Sequence, residues 1–263
     1  MSREPTITHV AAEPVTPNQA DRFAHLSLHR GMIVRRALLI GAIRGFFPVP
    51  MVDEQLAGKV RAGLYGKLAA GRQVDLPPAA AARLATKSGA AGSLSFAAAA
   101  ALLAKFAGRK FLALLAAGRG ADEMARTFCQ ATLFDHYCAK LHVGGPVTTE
   151  EASRLRATIE AEVRELPLGP VLTAFREGGR VLGRTLLEAP RWLSQRMAAL
   201  AERFVHSGGN PDVLDAVPEP VNGDDPWLER AARAVEEALA RAGGEPLARL
   251  VENFEARWRG GRS

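Results

Sequence analysis

Residues 50–70, PMVDEQLAGKVRAGLYGKLAA, decide the reading of this chain. Leu56, Val60, Leu64 and Leu68 recur every four residues, the spacing that puts side chains on one face of an α-helix. Asp53 and Glu54 fall in the first turn, where negative charge suits the positive end of the helix dipole. Pro50 suits the first helical turn, and Gly71 is expected to end the helix.

The same pattern extends outward in both directions. Upstream, Thr16-Pro17 reads as a helix entry, with Phe23, Leu26, Ile33, Ala37, Leu38 and Ile40 leading toward Phe46 and Gly31 as a point of bending or division. Phe47-Pro48-Val49-Pro50 must stop it, because neither proline donates an amide hydrogen. Downstream, Pro77-Pro78 opens a short Ala-rich helix to about Thr86. Residues 89–118, GAAGSLSFAAAAALLAKFAGRKFLALLAAG, form the most apolar stretch. Another helix is expected from Ala121 to Leu141, carrying Met124, Phe128, Leu133 and Phe134. Gly144-Gly145-Pro146 closes this half.

The second half opens on a capping box, Thr148 with Glu151 three residues on. Leu155, Ile159, Val163 and Leu166 continue on one face. A longer helical stretch spans Leu168 to His206, with a kink expected at Pro190. Ser207–Asp225 is rich in turn formers and reads as a linker. Two further helices are expected, Pro226 to Ala242 and Pro246 to Trp258. No convincing strand and no repeat of fixed period is found. The expected fold is all-α, a multi-helix bundle with a central apolar helical hairpin and additional amphipathic C-terminal helices. The expected organisation is a disordered tail (1–17), a basic apolar helical domain (18–147), amphipathic helices (148–206), the linker (207–225) and a C-terminal helix pair (226–259).

Composition agrees. The 263 residues are 48% hydrophobic and 24% charged, which excludes collagen-like, mucin-like and wholly disordered chains. Aromatics are only 6%, and the Ala- and Leu-rich apolar set favours helix over sheet. The net charge of +6 is uneven: residues 30–119 hold 14 Lys+Arg against 3 Asp+Glu, whereas residues 148–263 hold 16 against 19. Halves of opposite sign suggest modules with different neighbours.

Cys129 and Cys138, nine residues apart on one helix, lie about 13 Å apart at ~1.5 Å per residue. That is too far for a disulfide, so two free thiols and a reducing compartment are expected. Met1 to Ala20 lacks the apolar core of a secretory signal. A cytoplasmic location, peripheral to the inner membrane, is the expectation.

Two segments bear on membranes. Ser88 to Ala104 is uncharged but Ala-rich, and Lys105, Arg109 and Lys110 interrupt the apolar run beyond it. Met32 to Phe47 contains Arg35, Arg36 and Arg44, each costly at mid-bilayer. A buried helical core, an interfacial or re-entrant hairpin, and a spanning helix are the three readings, and the charges argue against the last.

Three constellations carry candidate chemistry. Asp21, His25 and His29 are spaced i, i+4, i+8 and would let two imidazoles meet a metal from one helix. The glutamate of a zincin motif is absent, Leu26 standing after His25, so an exposed helix face is the plainer reading. Asp135, Cys138 and His142, spaced i, i+3, i+7, are weak candidates for a metal or an activated thiolate. The arginines of 30–119 would attract phosphate, yet aromatics are sparse and no nucleic-acid-reading motif is present, so nucleic acid is not the expected partner. P-loop, dinucleotide-binding and nucleophile-elbow motifs are all missing. The glycines at 178, 179 and 183 match G-x-x-x-G only in spacing. No catalytic residue, metal or cofactor is expected.

The run Gly45-Phe46-Phe47-Pro48-Val49-Pro50-Met51-Val52-Asp53 resembles an uncharacterised bacterial helical family whose members often accompany small GTPases and are described as membrane-associated. Ala97–Leu103, Arg109-Lys110-Phe111 and Asp122 through Asp135 are the later matching parts, so the resemblance covers about residues 30–145. This chain departs in lacking a GTPase domain and in having Lys105 within the apolar hairpin. The resemblance implies membrane association and a GTPase or other protein partner; together with the basic charge of residues 30–119, the expectation is a non-enzymatic association module at an anionic membrane surface or on an acidic protein partner. Phe46, Phe47, Arg109, Lys110 and Phe111 are the expected contacts. Arg191, Trp192 and Trp258 are candidate interface anchors, with core packing the alternative for the tryptophans. A metal-binding or cysteine-dependent all-α enzyme and an unspecific nucleic-acid-associated basic protein are the alternatives.

Overall fold

The computed structural model describes residues 22–46, 50–85, 119–166, 168–188 and 227–261. Eight α-helices are present among them: α1 (Arg30–Phe46), α2 (Pro50–Gly71), α3 (Pro78–Ala85), α4 (Arg119–His136), α5 (Thr149–Glu165), α6 (Gly169–Glu188), α7 (Trp227–Ala242) and α8 (Glu245–Gly260). No strand occurs among the described residues, and the all-α bundle is the observed fold. The expected apolar hairpin, the Pro190 kink, the linker, Phe47, Arg109, Lys110, Phe111, Arg191 and Trp192 lie outside the described residues. Phe46 ends α1.

One cluster of buried apolar side chains draws on both halves of the chain. Val60, Leu64 and Leu68 of α2 are fully buried, as their four-residue spacing requires. Leu155, Ile159 and Val163 of α5 are buried as well, against α3, α4 and α8. The strongly amphipathic α6 and α7 make the most extensive helix–helix contact and also pack against α1. They come close together at Gly178. A Cβ there would sit 2.3 Å from Val235 Cγ2 and 3.1 Å from the Ala231 carbonyl, whereas Gly179 and Gly183 face open space. The G-x-x-x-G pair is therefore not the contact; the neighbouring glycine is.

Three local features differ from the sequence reading. First, the N-terminal helix is divided before Gly31 and not at it. A 3-10 turn (Ala24–Ser27) is separated by a break at Leu28–His29 from α1, which starts at Arg30. Second, Gly71 is the last residue of α2 but not its left-handed stop. The chain closes on Gln73, which adopts the left-handed conformation (φ 59°), with Gln73 N–H donating to the Ala70 carbonyl and Val74 N–H to Ala69. This paired closure satisfies two terminal carbonyls with a residue other than glycine in the left-handed position. Third, α4 widens at its end into a π-helical turn, Tyr137–Leu141.

The Thr148 cap forms as expected on one side only. Thr148 Oγ1 accepts from Glu151 N–H at 3.1 Å. The Glu151 carboxylate is turned instead to the Tyr137 hydroxyl, which donates to it at 2.5 Å. Two left-handed glycines, Gly144 and Gly145, reverse the chain between the π turn and this cap.

Candidate functional site

Charged and polar side chains converge at two places: a buried histidine–carboxylate network, and an arginine-lined cleft elsewhere in the bundle.

The network begins at Asp135. Its side chain is wholly buried near the end of α4 and accepts three hydrogen bonds. Arg72 donates through Nε at 2.9 Å and Nη2 at 2.7 Å, a two-pronged guanidinium–carboxylate pair. His29 Nδ1 lies 2.8 Å from the same carboxylate and donates to it. Arg72 Nη2 also reaches the carbonyl of His25, which ties the 3-10 turn to the end of α2. Gly71 owes its place to this packing: a Cβ there would lie 2.6 Å from His29 Nε2.

A second line of bonds runs alongside. His25 Nε2 meets His136 Nδ1 at 2.9 Å, and His136 Nε2 meets Glu255 Oε1 of α8 at 2.8 Å. The other Glu255 oxygen lies 3.5 Å from Arg22 and 3.2 Å from Arg259. Burial holds the His136 ring down to about 4, against the opposing pull of Glu255. Burial lowers His25 as well, aided by the nearby Lys140 and Arg72 charges. Both rings are therefore uncharged near neutrality.

The structure groups these residues differently from their sequence spacing. His25 and His29 do not share a helix, since the break at Leu28–His29 separates their frames, and both are half-buried rather than on an exposed face. Asp21 lies outside the described residues. Asp135 pairs with His29 and not with His142. His142 instead packs beside Tyr137, with Nδ1 3.2 Å from its hydroxyl and Nε2 3.1 Å from the Gly145 carbonyl. Among the described residues no group of three or more His, Cys, Asp and Glu is arranged to hold a metal ion.

Both cysteines are free and buried. Burial pushes the Cys129 thiol up to about 12. Burial and then the Asp135 charge push the Cys138 thiol up too, with Arg72 opposing. An activated thiol needs the reverse, an electropositive and accessible setting. Trp258 is in the core. Its ring meets Tyr137 edge-on at 5.4 Å, and the Arg154 guanidinium lies 4.3 Å from its centre.

The second place is a cleft of about 380 Å³ between α2, α3, α4 and α5. Arg61, Arg126, Arg156 and Arg164 line it, against Glu123 and Glu160. Arg61 is almost wholly buried. It donates to the last carbonyl of α3, Ala85, at 2.9 Å and to Glu123 at 3.1 Å. Arg156 grips Glu160 through Nε and Nη2, both at 2.8 Å, and reaches the Arg83 carbonyl at 3.3 Å. Arg126 pairs with Asp122 at 2.7 Å. Tyr65 forms part of the wall, its phenol pushed up to about 12 by burial. Four arginines against two glutamates leave the lining basic.

The sequence signals for the two places are unequal. Arg72, His136 and Glu255 stand in ordinary helical patterns, and nothing nearby in sequence marks them as partners. Of the cleft arginines only Arg61 belongs to the basic excess of 30–119, and Arg126, Arg156 and Arg164 lie outside it.

The bundle and these two places define an all-α helical protein. No protein-family model, no curated protein and no solved structure matches the chain. No helix among the described residues is long and apolar enough to cross a membrane.

Proposed function

We propose that this protein is a non-enzymatic helical association module and that its arginine-lined cleft receives an acidic segment of a protein partner. The observation that carries the reading is the convergence of Arg61, Arg126, Arg156 and Arg164 from three helices on one cleft. Guanidinium forks match carboxylates in pairs, and arginine is favoured at interfaces for that reason. Glu123 and Glu160 already hold Arg61 and Arg156, and the acidic segment would meet the positive charge left in excess by Arg126 and Arg164.

The resemblance over residues 30–145 supports a GTPase or other protein partner near a membrane, the basic charge of residues 30–119 supports an acidic one, and the two free thiols support a cytoplasmic setting peripheral to the inner membrane. Contact with anionic lipid through Phe46, Phe47, Arg109, Lys110 and Phe111 belongs to the same proposal.

The test is fluorescence anisotropy with a labelled glutamate- and aspartate-rich peptide and a lysine-rich control, at low and high salt. Binding of the acidic peptide alone, weakened by salt and reduced about tenfold by Arg156→Glu with Arg164→Glu, is expected. Equal binding by that variant removes the cleft from the interaction. Binding to anionic vesicles with no binding to the peptide replaces the protein partner by a lipid surface.

A further inference from the structure

A second cavity lies apart from the cleft and shares no lining residue with it. It measures about 450 Å³ and sits between the 3-10 turn, α4 and the start of α8. Its walls are largely apolar: Phe23 and Leu26 from the turn, Phe128 from α4, Leu247 and Ala248 from α8. Pockets of this size with apolar walls and a few polar groups are the usual form of small-ligand sites.

Among the described residues one cation lines it, Arg30 at the first position of α1. Arg30 makes no hydrogen bond or ion pair among the described residues, and its Nε is buried without a partner. Its position is a costly one. A guanidinium taken partly out of water beside aromatic and aliphatic walls loses hydration without a hydrogen bond to replace it. Burial accordingly lowers Arg30 from the ordinary arginine value, and the nearby Glu236 offsets that only in part. The carboxylate that lines the cavity, Glu245, is engaged by Arg249.

We propose that this cavity binds a small amphipathic carboxylate, with the acid group on the Arg30 fork and the apolar body against Phe23, Leu26, Phe128 and Leu247. A carboxylate fits better than a phosphate. It presents two oxygens to one guanidinium, and it carries one negative charge where Glu236 and Glu245 would repel two.

The probes are decanoate, decanol and decyl phosphate, each below its micellar concentration, titrated calorimetrically into the full chain. Decanoate is expected to bind one to one. Decanol should bind about tenfold more weakly for want of the charged hydrogen bonds, and decyl phosphate more weakly than decanoate. Arg30→Gln should abolish the preference for decanoate over decanol, while Arg249→Gln should retain it. Nuclear Overhauser contacts from decanoate methylenes to the Phe128 ring should appear in the unsubstituted protein, which keeps the test decisive if Arg30→Gln fails to fold. No saturable decanoate binding, equal decanol binding, or an undiminished preference in Arg30→Gln each overturns the proposal. Tighter binding of decyl phosphate overturns the assignment to carboxylates.

Discussion

His25 and His136, 111 residues apart, meet ring nitrogen to ring nitrogen at 2.9 Å. The contact has one consistent proton arrangement while both rings are neutral. His136 Nε2 faces the Glu255 carboxylate, which only accepts, so the hydrogen is on Nε2 and Nδ1 is bare. His25 Nε2–H then donates to that bare nitrogen. The 3-10 turn is thereby joined to α4 and α8 through a chain of bonds that depends on protonation state.

Acid should therefore loosen the bundle in a defined window. Both histidines are held below their ordinary value of 6.5 in the folded protein, His136 to about 4. The unfolded chain binds more protons over that interval, so stability is fully present above 6.5 and falls as pH drops toward 4. The expected loss between pH 7 and pH 5 is on the order of 2 kcal/mol. Urea midpoints at constant slope measure it. His136→Gln should remove most of the pH dependence, and an unchanged dependence in that variant would sink the assignment.

Asp135 should be the most sensitive single position of the network. It is wholly buried and receives Arg72 twice and His29 once. Asp135→Ala leaves a largely buried guanidinium without its counter-charge, which costs about 3–5 kcal/mol in comparable settings. In a double-mutant cycle, Arg72→Met should recover part of this loss, because the uncompensated charge goes with it. Additive losses from the two substitutions would show that the pair is not coupled.

Gly178 and Gly179 should respond to alanine with opposite signs. Alanine at 178 drives a methyl into Val235 and the backbone of α7, which should destabilise by about 1–3 kcal/mol. Alanine at 179 meets nothing within 4 Å and should stabilise α6 by about 0.5–1 kcal/mol through helix propensity. Thermal melts of the two variants decide it. Equal shifts would mean that α7 does not approach α6 at that glycine.

Among the described residues, helical spacing in the sequence marks the all-α class and the buried faces of α2 and α5. Val60, Leu64 and Leu68, then Leu155, Ile159 and Val163, announce their burial by spacing alone, because helical periodicity is a local property. Thr148 announces the start of α5 for the same reason: a cap is satisfied within three residues. The chemistry-bearing residues are also visible in the sequence, but not their partners. His25, His29 and Asp135 stand out as local constellations, yet each pairs with a group from another element. Those distances in sequence, 106 residues for His29 and Asp135 and 119 for His136 and Glu255, leave no local trace. Tertiary structure alone set Gly71 against the His29 ring, where a side chain has no room, and turned Glu151 from its cap to Tyr137. It alone gathered the cleft arginines and left Arg30 facing an apolar cavity. A hydrogen bond or a close approach needs two groups within a few ångströms, and only the packing of the helices fixes which groups those are.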